Sequence, residues 1–207
     1  MDDIKQIFER LKQANPTPKT ELYYTNDFTL LVAIVLSARA TDISVNKATK
    51  KLFTIISSPE EMLNLGQIAL QEYISSIGLC KAKAKNIINL SKILIEKHGS
   101  MVPANFGSLI ALPGVGRKSA NVFLNCSVGI PTLAVDTHVF RVSNRIGLVT
   151  EKSLLKTEQS LMQIIPKEYL FYAHHWLVLH GRYVCKAKKP LCNSCIIKDL
   201  CKFTDIK

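Results

Sequence analysis

Helix punctuation recurs from one end of this chain to the other, and no segment shows sustained apolar and polar alternation bounded by hairpin turns. That pattern predicts an all-α fold. Ile4, Ile7, Phe8 and Leu11 mark a first amphipathic helix, which must stop near Pro16-Thr17-Pro18 because proline removes a donor and restricts the residue before it. Ser58-Pro59-Glu60-Glu61 supplies an N-cap, a first-turn proline and a capping-box carboxylate, so a helix starts there. Gly66, Gly78 and Gly99 each follow an apolar-periodic stretch, where a left-handed cap is expected to end a helix. No repeat period, low-complexity tract or long linker is visible. Any domain boundary must therefore be made by packing.

With 207 residues and 47% hydrophobic content the chain can bury a sizeable core in one domain or two small ones. Its longest apolar run, Phe28 to Ala38, has 11 residues, well short of the roughly 18 needed for a membrane span. The run reads as a buried helix. Met1-Asp2-Asp3-Ile4-Lys5 begins acidic and lacks an apolar targeting segment, so the chain is expected to stay in the cytoplasm. A formal charge of +11 describes a surface that attracts a polyanion, nucleic acid or an acidic membrane face.

Leu112-Pro113-Gly114-Val115-Gly116-Arg117-Lys118-Ser119-Ala120 places two glycines one residue apart before a helical run. Glycine tolerates positive φ and allows close backbone approach, so the segment reads as a turn between two helices that suits an anion, or as a plain corner with Lys118 on the surface. A Walker-type loop is excluded because Gly114 and Gly116 stand too close to Lys118. Further on, Asp136 follows the short apolar stretch Ala134-Val135 and precedes a helix, the position of an N-cap. A cap also fixes a carboxylate in space.

Four of the six cysteines fall in the last 23 residues, at Cys185, Cys192, Cys195 and Cys201, with six, two and five residues between them. In a reducing compartment such a group argues for metal over disulfides. A [4Fe–4S] cluster and a structural zinc both fit four thiolates. Lys186, Lys188 and Lys189 lie between the first two cysteines, where they would meet the phosphates of a polyanion or simply form a solvated basic loop. Cys80 and Cys126 read as buried thiols, and His174, His175 and His180 as locally hydrogen-bonded rather than metal-binding.

Taken together, Leu112-Pro113-Gly114-Val115-Gly116-Arg117-Lys118 and Val135-Asp136-Thr137-His138 resemble the helix–hairpin–helix DNA glycosylases, and the lysine aligns the chain with the endonuclease III family. The resemblance extends through Leu36-Ser37-Ala38-Arg39-Ala40-Thr41-Asp42, Ser76-Ile77-Gly78-Leu79, His174-His175-Trp176-Leu177 and His180-Gly181-Arg182-Tyr183. It implies two α domains: a six-helix barrel near residues 20–130, and a cluster domain from residues 1–19 and 131–207. Lys118 and Asp136 would then face each other across the groove between them.

What the resemblance implies chemically is a bifunctional glycosylase and AP lyase. Lys118 would be the amine nucleophile and Asp136 its carboxylate partner, acting on a nucleotide taken out of the stack. The six-two-five cysteines would hold a [4Fe–4S] cluster. The implied partner is double-stranded DNA with a damaged or abasic nucleotide, bound by a monomer near the nucleoid, without a membrane. Contacts would come from Arg39, Leu79, Gly114, Gly116, Arg117, Lys186, Lys188 and Lys189. Arg39 departs from the family, which usually has glutamine there to fill the hole left by the flipped base, and Leu79 matches the family's apolar wedge. Oxidised pyrimidines are the implied substrates. The competing readings are a monofunctional mismatch glycosylase, whose family members lack the lysine, and a non-catalytic DNA-binding module.

Overall fold

The computed structural model describes residues 2–203, and every regular element among them is helical. Two compact units divide the chain, Met1–Thr20 with Gly129–Lys207 and, between them in sequence, Glu21–Val128. No described helix is long and apolar enough to cross a membrane.

In the discontinuous unit, α1 (Asp2–Ala14) buries Ile7, Phe8 and Leu11 along one stripe and ends before Pro16.

The unit Glu21–Val128 is built on α2 (Asp27–Ser37), in which every side chain from Phe28 to Leu36 is buried. A helix apolar all round has no face to offer water and belongs at the centre. It packs against α3 (Asp42–Leu52), α5 (Cys80–His98) and α7 (Arg117–Phe123), and α4 (Pro59–Tyr73) lies along α5. The short α6 (Phe106–Ile110) precedes α7, which runs on into a π-helical turn at Leu124–Val128. The capping box forms as the sequence dictates: Ser58 Oγ accepts the Glu61 N–H at 3.2 Å, and Glu61 Oε2 accepts the Ser58 N–H at 3.1 Å. Gly99 ends α5 at φ 56°.

Two of the glycine stops fall elsewhere. Gly66 adopts φ 77° and ψ 165° inside α4, so the helix turns a corner and continues. Past Ile74, which caps α4, the left-handed residue is Leu79 and not Gly78. Apolar periodicity before a glycine cannot distinguish a kink from a stop, because both use the same backbone freedom.

The discontinuous unit continues with α8 (Thr137–Ile146), α9 (Leu154–Ile164) and α10 (Lys167–Tyr183), then 3-10 turns at Cys192–Ser194 and Lys198–Leu200. α10 packs on α8 and α1. Phe8 stacks on Tyr169 at 5.9 Å between ring centroids and lies 6.3 Å from Trp176. Their polar ends return to α1 and the residue after it: Tyr169 donates to Glu9 at 2.8 Å, and Trp176 Nε1 to the Asn15 carbonyl at 2.7 Å. Buried aromatics with satisfied polar tips contribute large apolar area without orphaned donors.

Candidate functional site

Between α6 and α7 the chain turns through Leu112–Gly116, anchored by the buried Leu112 and Val115. Gly114 stands at φ 81°, and a Cβ there would meet Asn86 at 3.1 Å and Val35 at 3.3 Å. The positive φ favours glycine, and the tight space adds to that preference. Gly116 differs: its φ of −95° suits any residue, and nothing lies within 4 Å of where a Cβ would stand. What its missing side chain leaves is an approach from solvent to the backbone. Arg117 and Lys118 follow as the exposed opening residues of α7, Arg117 resting its guanidinium 5.1 Å from the Phe106 ring. The next turn, Ala120 to Phe123, is buried, so Lys118 extends from a fixed base.

In the other unit, the buried Leu133, Ala134 and Val135 lead to Asp136, which caps α8. One carboxylate oxygen, Oδ1, accepts the N–H of His138 at 2.8 Å and of Val139 at 2.9 Å. Burial lowers the pKa of the neighbouring His138, with Asp136 pulling the other way. His174 Nδ1 lies 2.7 Å from the Ala134 carbonyl, tying α10 to the strand-like lead-in.

The far half of α8 grips the cysteine loop. Arg141 bonds the Cys185 carbonyl at 3.2 Å and the Gly181 carbonyl at 2.8 Å. Arg145 donates to the Lys186 carbonyl at 2.7 Å and the Ala187 carbonyl at 3.0 Å, lies 3.9 Å from Cys185 Sγ, and covers the Phe203 ring at 4.7 Å. Cys195 Sγ stands 3.7 Å from His180 Nε2, and Cys201 Sγ 3.9 Å from the Arg145 carbonyl. Burial raises the Cys195 and Cys201 thiols, and the other cysteines of the group push the same way. Metal binding relieves such a group, because each thiolate's charge is then compensated. Among the described residues no three His, Cys, Asp or Glu side chains converge on a single-ion site. Lys186, Lys188 and Lys189 are exposed.

Arg39 and Leu79 belong to the same unit as Lys118. Arg39 turns the chain after α2 at φ 54°, and Leu79 opens α5 at φ 62° with 61% of its surface exposed. Left-handed backbone is costly for residues with a Cβ and tends to persist at working sites. A Cβ on Gly114 would stand against Val35 and Asn86, so the Leu112–Gly116 turn lies close to the last turn of α2 and the second turn of α5.

Residues 32–167 match the model of the HhH-GPD superfamily of base excision DNA repair proteins. Endonuclease III of Rickettsia prowazekii is 58% identical over 97% of this chain and 94% of its own, and that of Escherichia coli is 50% identical over 97% and 95%. A solved trapped endonuclease III–DNA covalent intermediate superposes with a TM-score of 0.90 at 43% identity, covering 96% of this chain and 95% of that one. The chain belongs to the HhH-GPD superfamily.

With endonuclease III relatives at 50–58% identity over nearly its whole length, it is an enzyme of DNA base excision repair, of the glycosylase and AP lyase class. A thermostable thymine-DNA glycosylase shares the fold, with a TM-score of 0.84 at 20% identity. Sequence reasoning singled out Lys118, Asp136 and the four cysteines as candidates and passed over Lys83, Arg141 and Arg145, whose side chains bond distant backbone carbonyls. The signal for the two arginines was present as an i, i+4 basic pair on α8.

Proposed function

We propose that this HhH-GPD enzyme is a bifunctional DNA glycosylase and AP lyase acting on oxidised pyrimidines in duplex DNA. The observation that carries the reading is Lys118: an exposed amine on a buried helical base, directly after a turn whose Gly114 holds φ 81° in a tight space. A homologue 43% identical has been trapped as a covalent intermediate with DNA, which an amine nucleophile accounts for.

An attacking lysine must first shed a proton, since a free amine of pKa ~10.4 is almost wholly charged at neutral pH. The Lys118 nitrogen lone pair forms a bond to C1′ as the C1′–N bond breaks, and the base leaves with that electron pair and takes a proton. Opening of the sugar ring gives the Schiff base. Loss of a C2′ proton then breaks the C3′–O bond, so the strand is cut 3′ to the site without hydrolysis. Asp136, oriented by two backbone N–H groups, stabilises positive charge on the sugar or takes a proton.

Cys185, Cys192, Cys195 and Cys201 would hold a [4Fe–4S] cluster. Four cysteine thiolates are the donor set that such a cluster takes. When bound, it supplies a covalent frame for the loop. Lys186, Lys188 and Lys189 then face the DNA backbone, together with Arg117 and the N–H groups near Gly114 and Gly116. Leu79 enters the duplex as a wedge and Arg39 fills the space beside the orphaned base. The cytoplasm is the compartment in which such thiols stay reduced.

Borohydride trapping on duplex DNA with a single oxidised pyrimidine tests the reading. Covalent capture by the wild type that is lost in Lys118→Ala supports the lyase. Base release without capture makes the enzyme a monofunctional glycosylase, and neither activity leaves a DNA-binding module.

A further inference from the structure

Among the described residues Lys83 is the only buried lysine or arginine, with 5% of its surface exposed. Burying an ammonium is expensive, and burial does lower this one's pKa. It is not held by a carboxylate: Nζ donates to the Leu36 carbonyl at 2.9 Å, in the last turn of α2. A positive charge there complements the end of the helix and satisfies a carbonyl that has no partner within it. The same residue's backbone N–H donates to the Leu79 carbonyl at 3.0 Å, closing the first turn of α5.

Lys83 is thus bonded at two ends. Its main chain holds Leu79, and its side chain holds the residue three places before Arg39. These two positions are a pair of the non-glycine residues in the left-handed region, and both are exposed. Each turn's own bonds stay within it: α5 begins at Leu79 without a side-chain cap, and at the end of α2 the Ala38 N–H donates to the Val35 carbonyl at 3.4 Å, Ser37 Oγ to the Ile34 carbonyl at 2.8 Å and the Ala40 N–H to the Ser37 carbonyl at 3.1 Å. The Lys83 Nζ–Leu36 bond reaches from one to the other, and a directional bond fixes register where packing alone does not.

We propose that Lys83 is a positioning residue that locks the Arg39 and Leu79 turns into one rigid insertion element, so that both side chains enter the damaged duplex together. This rests on the reading that Arg39 and Leu79 insert into DNA. Lys83 itself touches no substrate atom. Its contribution belongs to forming the flipped state and not to the bond changes that follow, so it should appear in the saturated rate more than in affinity.

The test uses the full-length holoenzyme and a duplex with 2-aminopurine opposite a tetrahydrofuran abasic analogue, which cannot react with Lys118. Saturating wild type is expected to raise the 2-aminopurine fluorescence as the partner base is unstacked. Lys83→Met, which keeps the stem and removes the ammonium, is expected to lose most of that rise, and Lys83→Arg to recover it. Single-turnover excision at saturation should fall about tenfold in Lys83→Met, with duplex affinity changed less than about twofold. Leu79→Ala with Lys83→Met should be no slower than Leu79→Ala alone, because the lysine acts through the wedge. A Lys83→Met protein that does not fold is replaced by Lys83→Gln, whose shorter amide cannot span the same gap. A full fluorescence rise in the substituted protein, or losses that multiply in the double variant, overturns the positioning role. No rise in the wild type overturns the insertion reading together with it, whereas borohydride capture is scored separately and reports only on Lys118.

Discussion

Asp136 accepts the backbone N–H of Val139 at 2.9 Å, so the carboxylate proposed for catalysis is also the N-cap of α8. The two roles separate by substitution. Asparagine caps as well as aspartate but carries no charge. Asp136→Asn is expected to keep the melting temperature and lose about 10²-fold or more in single-turnover excision. Asp136→Ala should lose the same activity and, in addition, about 1 kcal/mol of stability. Equal activity in Asn and wild type would leave Asp136 a cap only.

The two hairpin glycines are expected to respond differently. Gly114→Ala places a Cβ at φ 81° and against Asn86 and Val35, which should cost about 1–2 kcal/mol. Gly116→Ala meets open space at an ordinary φ and should change stability by less than about 0.5 kcal/mol. Its effect should be on DNA affinity, because the new methyl occupies the approach to the backbone. Thermal melts and binding titrations of both proteins decide this.

Replacing Lys186, Lys188 and Lys189 together by alanine is expected to weaken duplex binding with little dependence on the lesion. If all three meet phosphates, the slope of log affinity against log salt should fall in magnitude by about 2–3. An unchanged slope means that the loop is solvated and not at the DNA.

Burial pushes the Cys126 thiol up to about 11. At pH 8 its thiolate is scarce, and alkylation followed by peptide mass spectrometry should be about a hundredfold slower than for an open thiol of pKa ~8.5. The sign for stability follows: the folded value lies above the unfolded one, so the contribution is full below the unfolded pKa and is lost as pH rises towards about 11. Alkylation at the rate of a free thiol would show the site to be open.

Much of the fold was legible because its signals are local. The apolar run of α2, the Ser58 and Glu61 box and the Asp136 cap each depend on residues within one turn of one another. Gly66 and Gly78 were misread for the complementary reason: a glycine states what a backbone may do, and packing decides what it does. The residues missed altogether act over distance. Lys83 finds its carbonyl 47 residues away, and Arg141 and Arg145 find theirs 44 and 41 residues away. No window of sequence contains both ends of such a bond.

The placement of α1 has a consequence for how the chain is made. Phe8 is synthesised long before its ring partners, Tyr169 and Trp176. The stretch Glu21–Val128 can gather its own core as it emerges, while α1 waits for most of the polypeptide to be synthesised. An amphipathic segment with an uncovered apolar stripe is exposed throughout that interval, at the mercy of chaperones and of neighbouring nascent chains. Closing it requires contacts of very long sequence separation, the slowest kind to form. Moving α1 to the other terminus by circular permutation would shorten that wait, and the permuted enzyme should refold faster from denaturant.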